Sequence, residues 1–228
     1  MTIDHIGVWL FEDVAWFRII GRIAMPLFCM LVAYGVTKSR NPWKFALRLL
    51  VFAVAIQVFL NLYLERNLFA TGWYNVFFTL GFGVAVASLL KTCARLIKKY
   101  GTEISIGRVL LVALTFIGVL TIVIIPVILE TAWGVEIDYG IAGVLLVVMF
   151  YLAIQHSVKT LKIASPIILA IWCLMFGASV QWFAFLALPF IMVFVDKKLK
   201  ISVIEKYAFY VFYPLHMVVI FLIHSAVF

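Results

Sequence analysis

The sequence predicts an all-α polytopic membrane protein, one domain over residues 1–228 formed by a bundle of about nine transmembrane helices. Three observations predict it. Of the 228 residues 67% are hydrophobic and only 12% charged, with a mean hydropathy of +1.20, whereas a soluble domain carries roughly 25% charged residues. The apolar residues gather into runs that approach the ~20 residues needed to cross a bilayer. The connections between those runs alternate in charge. So much apolar surface exceeds what a core of this size can bury, and lipid must therefore act as the solvent.

A short first run extends from Met1 to Phe11, followed by Trp16 to Val36, Phe45 to Leu64 and Tyr74 to Leu90. Arg108 to Leu129, Tyr139 to Gln155, Ile163 to Val180, Gln181 to Val195 and Lys206 to Ala226 complete the set. The first run is about half the length a span requires, and is expected to be re-entrant, interfacial or lacking an upstream half. No internal repeat, low-complexity tract or long linker interrupts the chain.

One set of connections holds Lys38, Arg40, Lys44, Lys91, Arg95, Lys98, Lys99, Lys159, Lys162, Lys197, Lys198 and Lys200; with the flanking Arg48, Arg108 and Lys206 it gathers 15 of the 18 basic residues. The other set carries Glu12, Asp13, Glu65, Glu130, Glu136 and Asp138. The positive-inside rule makes the basic side cytoplasmic, with the N-terminus inside and the C-terminus outside. The net charge of +8 is thus topogenic, and no basic stripe points to nucleic acid. Cys29 and Cys173 lie in apolar runs and Cys93 in a basic connection, with no CxxC and no disulfide framework. The start, Met1-Thr2-Ile3-Asp4-His5, lacks the basic n-region of a cleavable signal peptide.

Ionisable groups inside spans are costly and are functional candidates by default. Asp4 and His5 sit in the first run: a histidine takes and returns protons near neutral pH, and a carboxylate beside it can fix its tautomer. Adjacent helical residues point about 100° apart, so the two need not touch; an N-terminal tail dipping into headgroups is the plainer reading. Arg22 precedes Pro26, which cannot donate to its carbonyl and so makes a kink. Such an arginine can clamp a carboxylate, a phosphate or a developing oxyanion, or snorkel outward as Arg18 does one turn earlier. Arg48, one turn into the third run, either snorkels or meets a phosphate of a cytoplasmic donor.

Gln57 and Asn61 share a helix face, and interhelical hydrogen bonds explain them as well as function does. Asn75 and Thr79 are likewise four apart at the opening of the fourth run, beside the belt aromatics Trp73 and Tyr74. Glu136-Ile137-Asp138-Tyr139 opens the sixth run, where an acidic residue serves as a plain helix cap. In the last run Tyr210, Tyr213 and His216 fall on one broad face beside Pro214. His216 lies near midplane, where a histidine has no cheap structural excuse; His156 and His224 lie near span ends. No Walker A loop, GxGxxG, HExxH or GxSxG occurs, and His5 and His216 lack the partners of a metal site.

The ordered set Ile3-Asp4-His5-Ile6-Gly7, Gly21-Arg22-Ile23-Ala24-Met25-Pro26-Leu27-Phe28, Asn75-Val76-Phe77-Phe78-Thr79-Leu80, Asp138-Tyr139-Gly140-Ile141-Ala142-Gly143-Val144-Leu145 and Tyr213-Pro214-Leu215-His216 resembles the TraX family. The resemblance covers nearly the whole chain. It implies a bacterial inner-membrane protein; the family's name-giving member is needed for N-terminal acetylation of conjugative pilin. The family in turn resembles transmembrane acyltransferases that use a histidine in the first span and a cytoplasmic acyl-CoA donor. Carried over, it makes His5 with Asp4 the acid–base pair, makes Arg22, Asn75, Asp138, Tyr139 and His216 pocket residues, and puts Arg48 on the donor side. Arg22 or His216 is then expected to act in catalysis by stabilising the oxyanion, and Tyr213 and Gln57 join the candidate acceptor contacts. It also implies an apolar stretch before the Asp-His pair, where this sequence has only Met1-Thr2-Ile3.

The expected function is acetyl or short acyl transfer from acetyl-CoA, with no metal, to an amine or hydroxyl of a pilin-like N-terminus, a saccharide or a small molecule. The rivals are a small transporter or exporter, whose pathway the polar residues would line, and a non-catalytic assembly factor.

Overall fold

The computed structural model describes residues 1–11, 13–62, 72–99, 105–177, 179–195 and 203–227. Their helices are α1 (Thr2–Trp9), α2 (Ala15–Gly21), α3 (Ala24–Lys38), α4 (Pro42–Leu60), α5 (Val76–Lys99), α6 (Ile106–Trp133), α7 (Gly140–His156), α8 (Val158–Phe176), α9 (Leu188–Val195) and α10 (Val203–Val227). A 3-10 segment, Ser179–Ala187, precedes α9, and two-residue strands β1 (Trp73–Tyr74) and β2 (Glu136–Ile137) pair in parallel. The protein is an all-α polytopic membrane protein. Among the described residues six segments are long and apolar enough to cross a bilayer: Ala15–Lys38, Pro42–Leu60, Val76–Lys99, Ile106–Ala132, Val158–Phe176 and Tyr210–Val227. Gly140–His156 and Val180–Phe194 are shorter apolar helices. Each of the nine expected runs is therefore helical over most of its described residues, but three of these helices fall short of the six long segments.

Local chemistry sets the ends. Asn41 accepts from Lys44 N with Pro42 in the first turn of α4, Ser105 caps α6 through Arg108 N, and Ser157 caps α8 through Thr160 N; each oxygen satisfies a backbone donor the helix cannot. Gly134 and Gly177 end α6 and α8 at φ 62° and 59°, a left-handed conformation that costs glycine little. Between α2 and α3 the ladder tightens, with Arg22 N reaching the carbonyls of Arg18 and Ile19 and Ile23 N that of Ile20. This is the break expected from Pro26.

Two connections differ from expectation. α5 runs nine residues past Leu90, so Lys91, Cys93, Arg95, Lys98 and Lys99 lie on a helix and Cys93 is buried in it. The reason is an unbroken run of good helix formers with no glycine or proline before Gly101. The eighth run begins as a 3-10 helix. Of the expected topogenic charges, Glu12, Glu65, Lys197, Lys198, Lys200 and the side chain of Lys206 lie outside the described residues.

The chain divides into two compact units, Met1–Met30 with His156–Phe228, and Leu31–Gln155. In the first, α1 packs on α2 and α10, and α8 on the 3-10 segment and α9. In the second, α5 is the hub, packed on α4 and α6. Gly81 of α5 admits Leu50 of α4, and Gly83 admits Val147 of α7, so these small residues serve packing within the chain. α6 turns Val109, Leu110, Leu114, Phe116 and Ile117 outward, each more than half exposed, a surface that only hydrocarbon accommodates. At one end of this unit Lys91, 6% exposed, places its ammonium on the carbonyls of Val36 (2.6 Å), Thr37 (2.8 Å) and Ser39 (3.0 Å) at the close of α3. Trp43 donates to Thr92 and Arg95 to the Arg40 carbonyl at the same end.

Candidate functional site

In the first unit α1 and α2 form an antiparallel hairpin. Gly7 faces Phe17 and Gly21 faces Asp4, so close that a Cβ on Gly21 would overlap Asp4. Asp4 is thus level with Gly21, six residues or about 9 Å from the start of α2. Its carboxylate sits 3.4 Å from Arg18 of α2 and 4.0 Å from Arg22, the residue that closes that helix one turn later. Arg22 is 14% exposed, and its Nε is buried without a hydrogen-bond partner among the described residues.

His5 points elsewhere. α10 runs parallel to α1, with Trp9 against Phe221 and His224, and His5 Nδ1 lies 2.9 Å from His216 Nε2. His216 Nδ1 donates to the Phe212 carbonyl at 2.7 Å, a group that can only accept. The two imidazole planes are within 6° of parallel. Tyr213 stands edge-on to both rings, with centroids at 5.9 and 5.3 Å, and Phe212 stacks on His216. Tyr210, Tyr213, His216, Met217 and Ile220 make the buried stripe of α10, while Val211, Phe212, Leu215 and Val219 face outward. His216 lies eleven residues, about 17 Å, from the end of α10 at Val227.

The expectation that Asp4 orients His5 is corrected. Successive helical residues diverge by about 100°, which sends Asp4 to the arginines of α2 and His5 to α10. Arg18, expected only to snorkel, joins Arg22 on Asp4; its four-residue spacing from Arg22 was the available signal. Phe212 was missed altogether, because its part is played by a carbonyl.

The second unit gathers the other expected residues. Gln57 Nε2 donates to Asn61 Oδ1 and to the Trp73 carbonyl, both at 2.8 Å, while its Oε1 accepts from Asn75 N and Nδ2 at 3.0 Å. Asn75 Nδ2 also donates to the Ala53 carbonyl, and its Oδ1 accepts from Phe77 N. Gln57 thereby spends its full capacity, and Asn75 all but one lone pair of Oδ1, binding the end of α4 to the start of α5. This joint is a sufficient structural account of both amides. Thr79 donates to the Asp138 carbonyl, and Asp138 N donates to the Tyr74 carbonyl at 3.0 Å. Tyr139 follows at φ 62°, a strained conformation for a tyrosine. Arg48 lies over the Phe45 ring at 5.5 Å, toward the basic end of the unit. His156 bonds to Thr160 at the α7–α8 junction.

Among relatives, a probable fimbrial assembly protein, FimC of serogroup H1, from Dichelobacter nodosus is 27% identical over 95% of this chain and 88% of its own. An uncharacterized protein of Rickettsia prowazekii (strain Madrid E) is 35% identical over 68 residues, 30% of this chain and 25% of that protein. No solved structure matches the chain. The family model described as TraX protein matches residues 1–224. The chain belongs to the TraX family.

Proposed function

We propose that this protein is an acyltransferase of the bacterial inner membrane, moving an acyl group, acetyl in the first instance, from acyl-CoA to an amine or hydroxyl. The observation that carries the reading is the His5–His216 pair between α1 and the apolar span Tyr210–Val227, with Asp4, Arg18 and Arg22 beside it. A histidine held in a water-poor site deprotonates an acceptor, and a guanidinium with an unspent donor, as on Arg22, stabilises the tetrahedral oxyanion. Arg48 with Lys38, Arg40, Lys44 and Arg95, at the basic end of the second unit, suits the phosphates of a CoA donor. By the positive-inside rule that end faces the CoA pool. The name of the Dichelobacter relative directs the acceptor reading to the N-terminus of a fimbrial or pilin subunit.

The test is transfer of radiolabel from acetyl-CoA by purified protein to candidate pilin N-terminal peptides, saccharides and small amines. The reading expects transfer that His5→Ala abolishes. No transfer to any of them, with His5→Ala indistinguishable from the parent in pilus assembly, overturns it. That same outcome would favour the second reading, a non-catalytic fimbrial assembly factor, which the relative's name also supports.

A further inference from the structure

We infer that His5 and His216 form a one-proton pair in which His216 is a positioning residue: it holds His5 in the Nδ1–H tautomer and leaves the Nε2 lone pair of His5 as the basic atom of the site. The inference deepens the proposed acyl transfer, and rests on it only for the use made of that lone pair.

The chain of partners is directional. The Phe212 carbonyl accepts and cannot donate, so the hydrogen of neutral His216 resides on Nδ1. His216 Nε2 is then an acceptor. The atom facing it at 2.9 Å, His5 Nδ1, must be the donor. A neutral imidazole has one N–H, so His5 Nε2 is unprotonated, and among the described residues it has no hydrogen-bond partner. Tyr213, edge-on to both rings, and Phe212, stacked on His216, hold the planes in the register the bond needs.

This assigns His216 a role other than oxyanion donor, since both its nitrogens are committed within the protein. It also accounts for Asp4 turning away: the tautomer is already fixed from α10, and the carboxylate is free to pair with Arg18 and Arg22. In use, the acceptor's N–H or O–H proton passes to His5 Nε2 while its electron pair attacks the thioester carbonyl carbon. The C–S bond then breaks and the leaving thiolate recovers that proton from His5 Nε2. During the step the imidazolium charge is spread across the Nδ1–H···Nε2 bond to His216.

The test is nitrogen-15 magic-angle-spinning NMR of the full chain, labelled at its four histidines and held in phospholipid nanodiscs at mildly alkaline pH. His5→Gln, His156→Gln and His224→Gln variants assign the signals. The expected spectrum has His5 protonated at Nδ1 and bare at Nε2. In His216→Gln, whose amide oxygen still accepts, that pattern persists; in His216→Leu, which cannot accept, it is lost. An Nε2–H tautomer at His5 in the parent protein overturns the inference, and so does a His5 pattern unchanged by His216→Leu. In the transfer assay His216→Leu should lose roughly 100-fold or more in kcat with KM for acyl-CoA unchanged, and His216→Gln should recover most of it. The expected tautomer without transfer to any acceptor supports the inference and counts against the proposed activity alone.

Discussion

Replacing Gly21 with alanine tests whether the α1–α2 contact is what brings Asp4 to its arginines. An alanine Cβ would lie 2.5 Å from Asp4 Oδ1, 2.7 Å from Cγ, and closer still to Cβ, where atoms settle at about 3.5 Å or more. α1 must therefore retreat by about 1 Å, and overpacking of this kind costs roughly 1–3 kcal/mol, a 5- to 150-fold change in an equilibrium constant. The obstacle is the carbon of Asp4 nearest its backbone, not the tip of a flexible chain, so the cost should fall in the upper part of that range. Thermal unfolding of the purified protein in mild detergent is the assay. Gly107→Ala is its control, because a Cβ there meets nothing within 4 Å. Asp4→Gly in the Gly21→Ala background removes the colliding carbon, so the double variant should be more stable than the sum of the singles by about 0.5–3 kcal/mol. A Gly21→Ala protein as stable as Gly107→Ala, or strict additivity with Asp4→Gly, would refute the hairpin geometry.

Lys91→Met strips the ammonium from the carbonyls of Val36, Thr37 and Ser39 and should destabilise by about 2–4 kcal/mol, read as an earlier midpoint in SDS titration; an unmoved midpoint rules out the cap. Gln57→Leu leaves Asn75 and the Trp73 carbonyl short of partners and should cost about 1–3 kcal/mol, with activity per folded molecule unchanged. Lost activity at an unchanged melting temperature would instead restore Gln57 to the pocket. Tyr139→Asn places at φ 62° a residue that tolerates that conformation, and should gain about 0.5–1 kcal/mol. A lower melting temperature would show that the tyrosine side chain contributes more than its backbone costs.

Most of the helical layout was legible because lipid imposes a simple rule: an apolar run must satisfy its own backbone, and helix is the local solution. The broad face of Tyr210, Tyr213 and His216 was legible for the same reason, since spacing fixes direction on a helix. Partners across helices were not. Nothing in the order Asp4-His5 says that the first turns to α2 and the second to α10; that depends on which helices pack on either side. Lys91 read as a loop charge because a lysine ending an apolar run normally marks the headgroups. Its burial depends on where α3 stops, 52 to 55 residues earlier in the chain. Gln57 and Asn75 were recognised as polar and enclosed, but only the full count of their donors and acceptors separates a joint from a pocket.

α6 turns most of its long apolar surface away from the protein, and that decides how its sequence can drift. At Val109, Leu110, Leu114, Phe116 and Ile117 no neighbouring side chain dictates shape, so exchanges among leucine, isoleucine, valine and phenylalanine should be nearly silent. A single aspartate or lysine at the helix centre, by contrast, meets a transfer penalty of about 2.5–3.5 kcal/mol. On α5, where Gly81 and Gly83 admit Leu50 and Val147, the tolerance reverses, and a change of one methyl group is resisted even when it is apolar. A saturation scan would thus divide the two helices by the kind of selection they feel: α6 filtered by solubility in hydrocarbon, α5 by fit.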